Sequence, residues 1–285
     1  MQALQKRKDN PFGNSKVVFF GYDTFDAAKN MAVDELLKEK ADKENRFFVR
    51  FYNVSRPSII LGSEDHYDLV KSANLNGCDM SRRITGGRPI YLDENTLQYS
   101  IAGPLRGGLN GFPREIHKRF GLILAESIEE AIGDGHEISL PRSSSIRIDG
   151  KPIAGHGQSI SQGHSFLYHG VVVVYPWNLT MINALLHVDS KDFEELRSLP
   201  NLKDLGGDGT PEEQKEELVG RMMAKLPPGQ LVSVGADERE AIISKAASLS
   251  ASKYSNPKWV FRDDIKLRRD AKFCILYEGE LTEGD

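Results

Sequence analysis

The chain of 285 residues is poor in cysteine: it has two, Cys78 and Cys274, far apart in sequence. They form neither a metal-ligand pair nor a disulfide framework, which points to a reducing compartment. No apolar run approaches the length of a membrane span, and the first ten residues are polar, without the apolar stretch of a secretory signal. The expectation is a cytoplasmic protein that does not associate with membranes. An excess of cations is missing too, since 37 Lys and Arg against 41 Asp and Glu leave a net charge of −4, with both signs interspersed. A nucleic-acid binder would gather Lys and Arg on one face, so nucleic acid is not an expected partner. There is no internal repeat and no low-complexity tract. The length allows one large domain, or one large and one small, with a sizeable core.

Periodicity supplies the elements. Residues 17–20 read as a strand, and Ala28, Met31, Ala32 and Leu36 fall at helical spacing over about 25–40, with Thr24 or Asp26 able to cap the helix. Residues 47–52 and 58–61 are β-rich runs whose polar, proline-containing connection suggests a hairpin. A short helix is expected over 67–73, and strands over 89–92 and 97–101. Ile116, Phe120, Ile123, Leu124, Ile128 and Ala131 then trace one face of a long helix with Pro113 in its first turn. Asp149-Gly150 favours the positive φ angles of a two-residue hairpin turn between 144–148 and 153–160, which places Lys151 at the mouth of the hairpin. A second hairpin turns near Gln162-Gly163 and returns through 166–175, where Val171 to Val174 are apolar on both faces and belong mid-sheet. Beyond Pro176 come a short helix over 178–186, a long polar stretch over 187–210 with the makings of a moving segment, and helices over 211–225 and 237–250. Strands precede, interrupt and follow helices, so the expected class is α+β, a mixed β-sheet sandwich packed with helices.

Two segments carry chemistry. In the first, Arg82 and Arg83 precede Thr85-Gly86-Gly87. Glycines let backbone approach a ligand, and arginine recognises carboxylate or phosphate bidentately. The competing reading is a pair of surface cations entering a tight turn. In the second, Lys151 is followed by Gly155 and Gly157, which strip one face of the strand of bulk as if something lies against it. Lys151 could stabilise charge on an acyl phosphate, or could be a solvated edge residue. His169 interrupts an apolar strand, as a pocket residue or as a satisfied core histidine. His156 and His164 read as surface or rim residues.

The residues from Arg82 to Asp93, from Asp149 to Gln158 and from Tyr168 to Val171 resemble, in the same order, three segments of the lipoate-protein ligase A family in the biotin/lipoate ligase superfamily. Those segments are an Arg-Arg-x-Ser/Thr-Gly-Gly-Gly-x-Val-Tyr-His-Asp-like stretch, an Asp-Gly-Lys-Lys-Ile-x-Gly-x-Ala-Gln-like stretch, and His-Gly before an apolar strand. Asn30 to Glu35, Val49 to Tyr52, Leu199 to Leu202 and Pro257 to Trp259 are similar to further landmarks. The resemblance covers about residues 17–262. It departs where Arg88-Pro89 replaces the third glycine and its neighbour, where Leu92 stands for histidine, and where Gly157 stands for alanine. Pro89 also removes a backbone N–H.

The resemblance implies a catalytic domain over 17–262, an N-terminal extension over 1–16, and a short tail over 263–285 in place of a full accessory domain. It implies ATP-dependent activation of lipoate to lipoyl-AMP, with Mg²⁺ on the triphosphate, followed by transfer to a carrier lysine. That carrier would be a dehydrogenase E2 lipoyl domain or a glycine-cleavage H-type protein, and a separate small subunit could assist the first step. Lys151 is the implied catalytic residue. Arg83, Thr85, Gly86, Gly87, Asp93, Gly155, Gln158 and His169 are the implied adenylate and acyl contacts, with no protein-held metal. The alternatives are an octanoyl or lipoyl transferase of the same superfamily, disfavoured in its cysteine form because no cysteine lies between Leu140 and Ser145, and a non-catalytic binder of lipoyl groups or carrier domains.

Overall fold

The computed structural model describes residues 10–65, 67, 70–71, 77–105, 113–141, 145–161 and 164–262. The first half runs β1 (Val17–Phe25), α1 (Ala27–Glu44), β2 (Phe47–Val54), β3 (Ser58–Leu61), β4 (Asp79–Arg82), β5 (Ile90–Leu92), β6 (Thr96–Pro104) and α2 (Pro113–Ile132). The second half runs β7 (Ile138–Ser139), β8 (Ser145–Ile148), β9 (Lys151–Ser161), β10 (Ser165–Val173), α3 (Leu179–Leu185), α4 (Ser190–Arg197), α5 (Pro211–Ala224), β11 (Leu231–Ser233), α6 (Ala236–Leu249), a π turn (Ser250–Tyr254) and α7 (Pro257–Val260). Eight strands form a mixed sheet in the order β11-β1-β2-β6-β10-β9-β8-β7, and three form a small sheet, β4-β3-β5. The α+β class is the observed one.

Strand alternation sorts the large sheet into two faces. Leu97, Tyr99 and Ile101 of β6 and Phe166, Tyr168 and Val172 of β10 pack with Ile116, Phe120 and Ile123 of α2 and Leu218 of α5. Ala102, Leu167 and Val171 turn to the other face, where Met31, Ala32 and Leu36 of α1 and Ile242 of α6 cover them. A third cluster lies beneath the small sheet, where Ile59, Leu61 and Tyr91 meet Ile182 and Leu185 of α3 and Leu196 of α4. Asp26 caps α1 through Lys29 N, at 2.8 Å. The Asp149-Gly150 turn has φ of 49° and 80°, and β8 and β9 pair antiparallel around it.

Several expectations are corrected. Residues 47–54 and 58–61 do not form a hairpin: β2 pairs with β1 and β6 in the large sheet, whereas β3 pairs with β4 and β5 in the small one. Both runs are buried along their whole length, so the proline turn carries the chain from one sheet to the other. The polar stretch 187–210 contains α4, which Asp189 caps through Asp192 N and which buries Leu196. The short strands β4, β7 and β11 were not anticipated, because two to four residues cannot show a period. The helix expected over 67–73 and the turn at 162–163 lie largely outside the described residues. Among the described residues no helix is long and apolar enough to cross a membrane.

Two features of this packing are measurable. A Cβ on Gly103 of β6 would run into the Phe47 ring and approach Phe166 to 2.8 Å. Gly103→Ala is therefore expected to destabilise by about 1–3 kcal/mol, read as a lowered melting temperature. His117 of α2 is 1% exposed, lies 3.0 Å from the Tyr168 hydroxyl, and is pushed by burial down to about 4. Between the unfolded value near 6.5 and the folded value, the unfolded chain binds a proton that the native state does not. His117 thus favours stability fully above about pH 6.5, and that contribution is lost as pH falls toward 4. Relative to His117→Phe, wild type should lose about 3 kcal/mol across that window in denaturant titrations; parallel pH profiles for the two proteins would refute this.

Candidate active site

The two sheets and α1 line a narrow pocket that is about half open to solvent. Register builds its floor. Gln98, Val171 and Gly155 form one row across β6, β10 and β9, and Ser100, His169 and Gly157 form the next. Successive side chains on one face are two residues apart, so these six point to the α1 side of the sheet. Met31 of α1, Tyr52 of β2 and Ile60, Ile90 and Leu92 of the small sheet complete walls that are mainly apolar. The glycine positions matter here as much as the side chains, because Gly155 and Gly157 leave the floor flat.

A buried polar network stands at one side. Asp34 of α1 is 1% exposed. Its Oδ1 accepts from Arg50 Nη1 at 3.2 Å and from Ser100 Oγ at 2.8 Å, and its Oδ2 accepts from Tyr52 at 3.1 Å. Arg50, itself fully buried, also donates to the Asn30 side chain and stacks its guanidinium 4.3 Å over the Tyr52 ring. His169 Nδ1 lies 3.7 Å from Asp34 Oδ2, while its Nε2 lies 2.8 Å from Thr85 Oγ1. Burial would raise the Asp34 carboxyl, but the adjoining His169 imidazole and the Arg50 charge outweigh it and hold the group below the usual carboxylate range. Burial, helped by the Arg83 charge, pushes the His169 imidazole down, against the pull of Asp34. A neutral imidazole with its proton on Nδ1 would turn that N–H toward Asp34 and let Nε2 accept from the Thr85 hydroxyl.

The Arg-Arg-Gly-Gly segment folds back on itself. Arg82 and Arg83 are 0% and 3% exposed, so the surface-cation reading fails. Their donors go to main-chain carbonyls. Arg82 serves Gly62, Asp65, Trp259 and Val260, and Arg83 serves Ile60, Gly86 and Arg88. Gly86 N donates to Gln158 O at 3.0 Å, tying the loop to β9, and Gly87 has a φ of 93° that favours glycine. A Cβ on Gly62 would fall on the Gly87 carbonyl, and one on Gly157 would meet Gly86 O at 2.8 Å and Thr85 Oγ1 at 3.1 Å. The glycine at 157, where the resembling segment has alanine, therefore accommodates a loop packed directly on the strand.

The structure brings Arg83, Thr85, Gly86, Gly155, Gln158 and His169 together around the cavity and its adjoining loop. Lys151 is elsewhere: it is exposed, and its ammonium donates to the Ser198 carbonyl at 3.2 Å, outside the cavity lining. Pro152, at the second lysine of the resembling segment, is buried. Gln158 Nε2 donates to the Pro113 carbonyl at the start of α2. Asp93 accepts from Asn95 N at 3.0 Å in the β5–β6 turn, next to the cavity residue Leu92, and burial pushes its carboxyl up to about 6. His156 is not at the rim: it is 3% exposed and stacks on Tyr168 with ring centroids 5.0 Å apart. Asp34, Arg50, Tyr52 and Gln98 were not among the expected site residues, although the first three fall within segments that resemble the family. The signal for the last was available, since a polar residue one register step from Ser100 lies on the same face as the expected pocket histidine. Among the described residues no group of three or more His, Cys, Asp or Glu side chains could hold a metal ion.

Comparison with known proteins agrees with this architecture. The octanoyltransferase LipM of Carboxydothermus hydrogenoformans is 31% identical over 175 residues, which span 55% of this chain and 64% of that protein's length. The lipoate-protein ligase LplJ of Bacillus subtilis is 24% identical over 242 residues, 81% of this chain and 69% of that protein. Among solved structures, a bi-partite lipoate protein ligase with its E2 lipoyl domain from Thermoplasma acidophilum has a TM-score of 0.68 at 19% identity, covering 87% of this chain and 97% of that one. A lipoate-protein ligase A bound with ATP has a TM-score of 0.63 at 20% identity, covering 87% and 98%. At these identities the structures show the fold. The sequence model of the lipoyl protein ligase A/B catalytic domain matches residues 26–220, more than half of the chain, and the protein belongs to that family, which holds both lipoate ligases and octanoyltransferases.

Proposed function

We propose that this protein is a lipoate-protein ligase, which activates lipoate with ATP and passes the lipoyl group to a carrier-domain lysine. The observation that carries the reading is a half-open, mainly apolar slot with a glycine-rich loop packed against its floor. The slot suits a medium-length acyl chain, and Gly86 and Gly87 leave main chain beside it for an anionic head group. In the first step a carboxylate oxygen attacks the α-phosphate and pyrophosphate leaves. In the second the lysine nitrogen attacks the acyl carbonyl and AMP leaves. A ligase rather than a cysteine-dependent transferase is supported by the absence of cysteine between Leu140 and Ser145. Cys78 offers no substitute, since burial pushes its thiol up to about 12. A lipoyl domain beside the Thermoplasma ligase supports the same class of acceptor. Mg²⁺ would enter with the triphosphate, held by the nucleotide's own oxygens.

Charge placement favours a second reading. Arg82 and Arg83 are occupied by carbonyls and Lys151 rests on Ser198, an arrangement that also suits a protein holding an acyl group or a carrier domain without adenylating it. Lipoate-dependent exchange of labelled pyrophosphate into ATP separates the two. Exchange above background is expected for the ligase, and its absence, with lipoate still bound, would leave the binder or an acyl transferase of the same superfamily. For Lys151 we propose contact with the acyl phosphate once its exposed hydrogen bond to Ser198 is released, a bond of about 1 kcal/mol. Lys151→Ala should then lower transfer by about 100-fold or more with an unchanged melting curve, and near-normal turnover would remove the assignment.

A further inference from the structure

Gln98 is one of the few polar residues in the slot lining, with Arg83, His156 and His169. It is 2% exposed, and Met31, Ile60, Leu92, Val171 and Tyr52 line the same slot. Its Nε2 donates to Thr96 Oγ1 at 2.7 Å. The direction of that bond is fixed by Thr96, whose single hydroxyl proton goes to the Asp93 carbonyl at 2.9 Å, so that Oγ1 can only accept from Gln98. The amide therefore turns its NH2 to Thr96 and leaves Oε1 over, and Oε1 has no hydrogen-bond partner among the described residues. A buried acceptor without a donor is a loss to folding, and in a slot wall it is a receptor for a donor on the ligand.

The acyl chain of lipoate or octanoate carries no N–H or O–H, so it cannot satisfy this oxygen. The adenylate carries its hydroxyl and amino donors on the nucleoside, beyond the phosphate, so the donor that comes to the acyl carbon itself is the incoming nitrogen. Resting on the transfer reading above, we propose that Gln98 is a specificity-determining residue that accepts a hydrogen bond from the acceptor nitrogen, as an amine before transfer and as an amide after it. Gly155 lies in the same row two strands away, beyond Val171. In the step itself the amine lone pair forms the C–N bond, the bond between acyl carbon and phosphate oxygen breaks with its electron pair on AMP, and one N–H proton passes to solvent. The hydrogen held by Gln98 is the one the amide keeps.

The matched pair N-methyloctanamide and methyl octanoate tests this, since the two differ by one N–H. Competition against a fluorescent octanoyl probe should show the amide binding the wild-type protein at least about tenfold more tightly than the ester, despite the amide's stronger hydration. Gln98→Met should erase the preference, read as an amide-to-ester affinity ratio that falls to about one whatever the absolute affinities become. Equal binding by wild type, which does not depend on any variant folding, overturns the proposal. So does a preference that survives in Gln98→Met or Gln98→Leu with wild-type melting curves. If a hydroxyoctanoate outbinds octanoate while amide and ester bind alike, the donor belongs to the acyl chain and the nitrogen assignment is wrong. If none of these compounds binds, the acyl-slot reading falls with it, whereas binding without discrimination removes Gln98 alone.

Discussion

The Asp34 carboxylate is the constraint around which the rest is arranged. A charge removed from water on an apolar helix face is costly unless it is paired and its remaining lone pairs are filled. Here the pairing draws Arg50 from β2, Tyr52 from the same strand, Ser100 from β6 and His169 from β10 onto one point of α1. Because these partners come from adjacent strands, the network fixes the height of α1 over the sheet and the register beneath it. The cavity is the space left beside that contact, and its height follows from the length of an Arg–Asp bridge rather than from apolar packing alone. His169 then extends the network to Thr85, so the glycine-rich loop is referenced to the same charge as the helix.

Much of this was legible in sequence, for reasons that can be stated residue by residue. The Asp149-Gly150 turn needs positive φ at both positions, a local demand that few dipeptides meet, and the hairpin was read correctly from it. The face of α2 was visible as a period, and the mid-sheet position of Val171 to Val174 as an unbroken apolar run. What failed was non-local. The β2 and β3 runs are each strand-like, but nothing in either says that a four-residue strand leaves its predecessor to found a second sheet. Asp34 fell within a family-like stretch but carried no assigned role, because its partners sit 16 to 135 positions away in the chain. His156 was misread for the same reason: alternation turned it into the α2 layer, where Tyr168 stacks on it, and sequence does not reveal which face of a strand will meet a helix.

The glycines show how composition became architecture. Gly62, Gly87 and Gly157 are not interchangeable sources of flexibility. Each removes a Cβ that would otherwise strike a named neighbour, and together they let the loop at 85–87 lie between β3 and β9 without a gap. That closeness in turn explains the arginines. A tight loop turns carbonyl oxygens inward, and Arg82 and Arg83 satisfy them from Gly62 to Val260 where water cannot. The arginine pair that seemed meant for a ligand is thus a condition for the loop existing at all.

It follows that the electrostatics of ligand binding and the electrostatics of loop formation draw on the same two side chains. Arg83 keeps a formal charge beside the cavity even with its donors engaged, and its field is felt at His169, whose imidazole it helps to keep neutral. A field of this kind can steady an anionic head group at a distance, but it cannot grip phosphate oxygens in the bidentate way that free donors would. Any direct contact with a developing phosphate charge therefore has to come from a cation that the loop does not need. The exposed ammonium of Lys151, held by one carbonyl at the hairpin mouth, meets that requirement in mobility though not in its resting position. On the proposed ligase reading, the acyl group would then be held by side chains fixed on the sheet, and the phosphate by a lysine that has to leave its Ser198 contact to reach it.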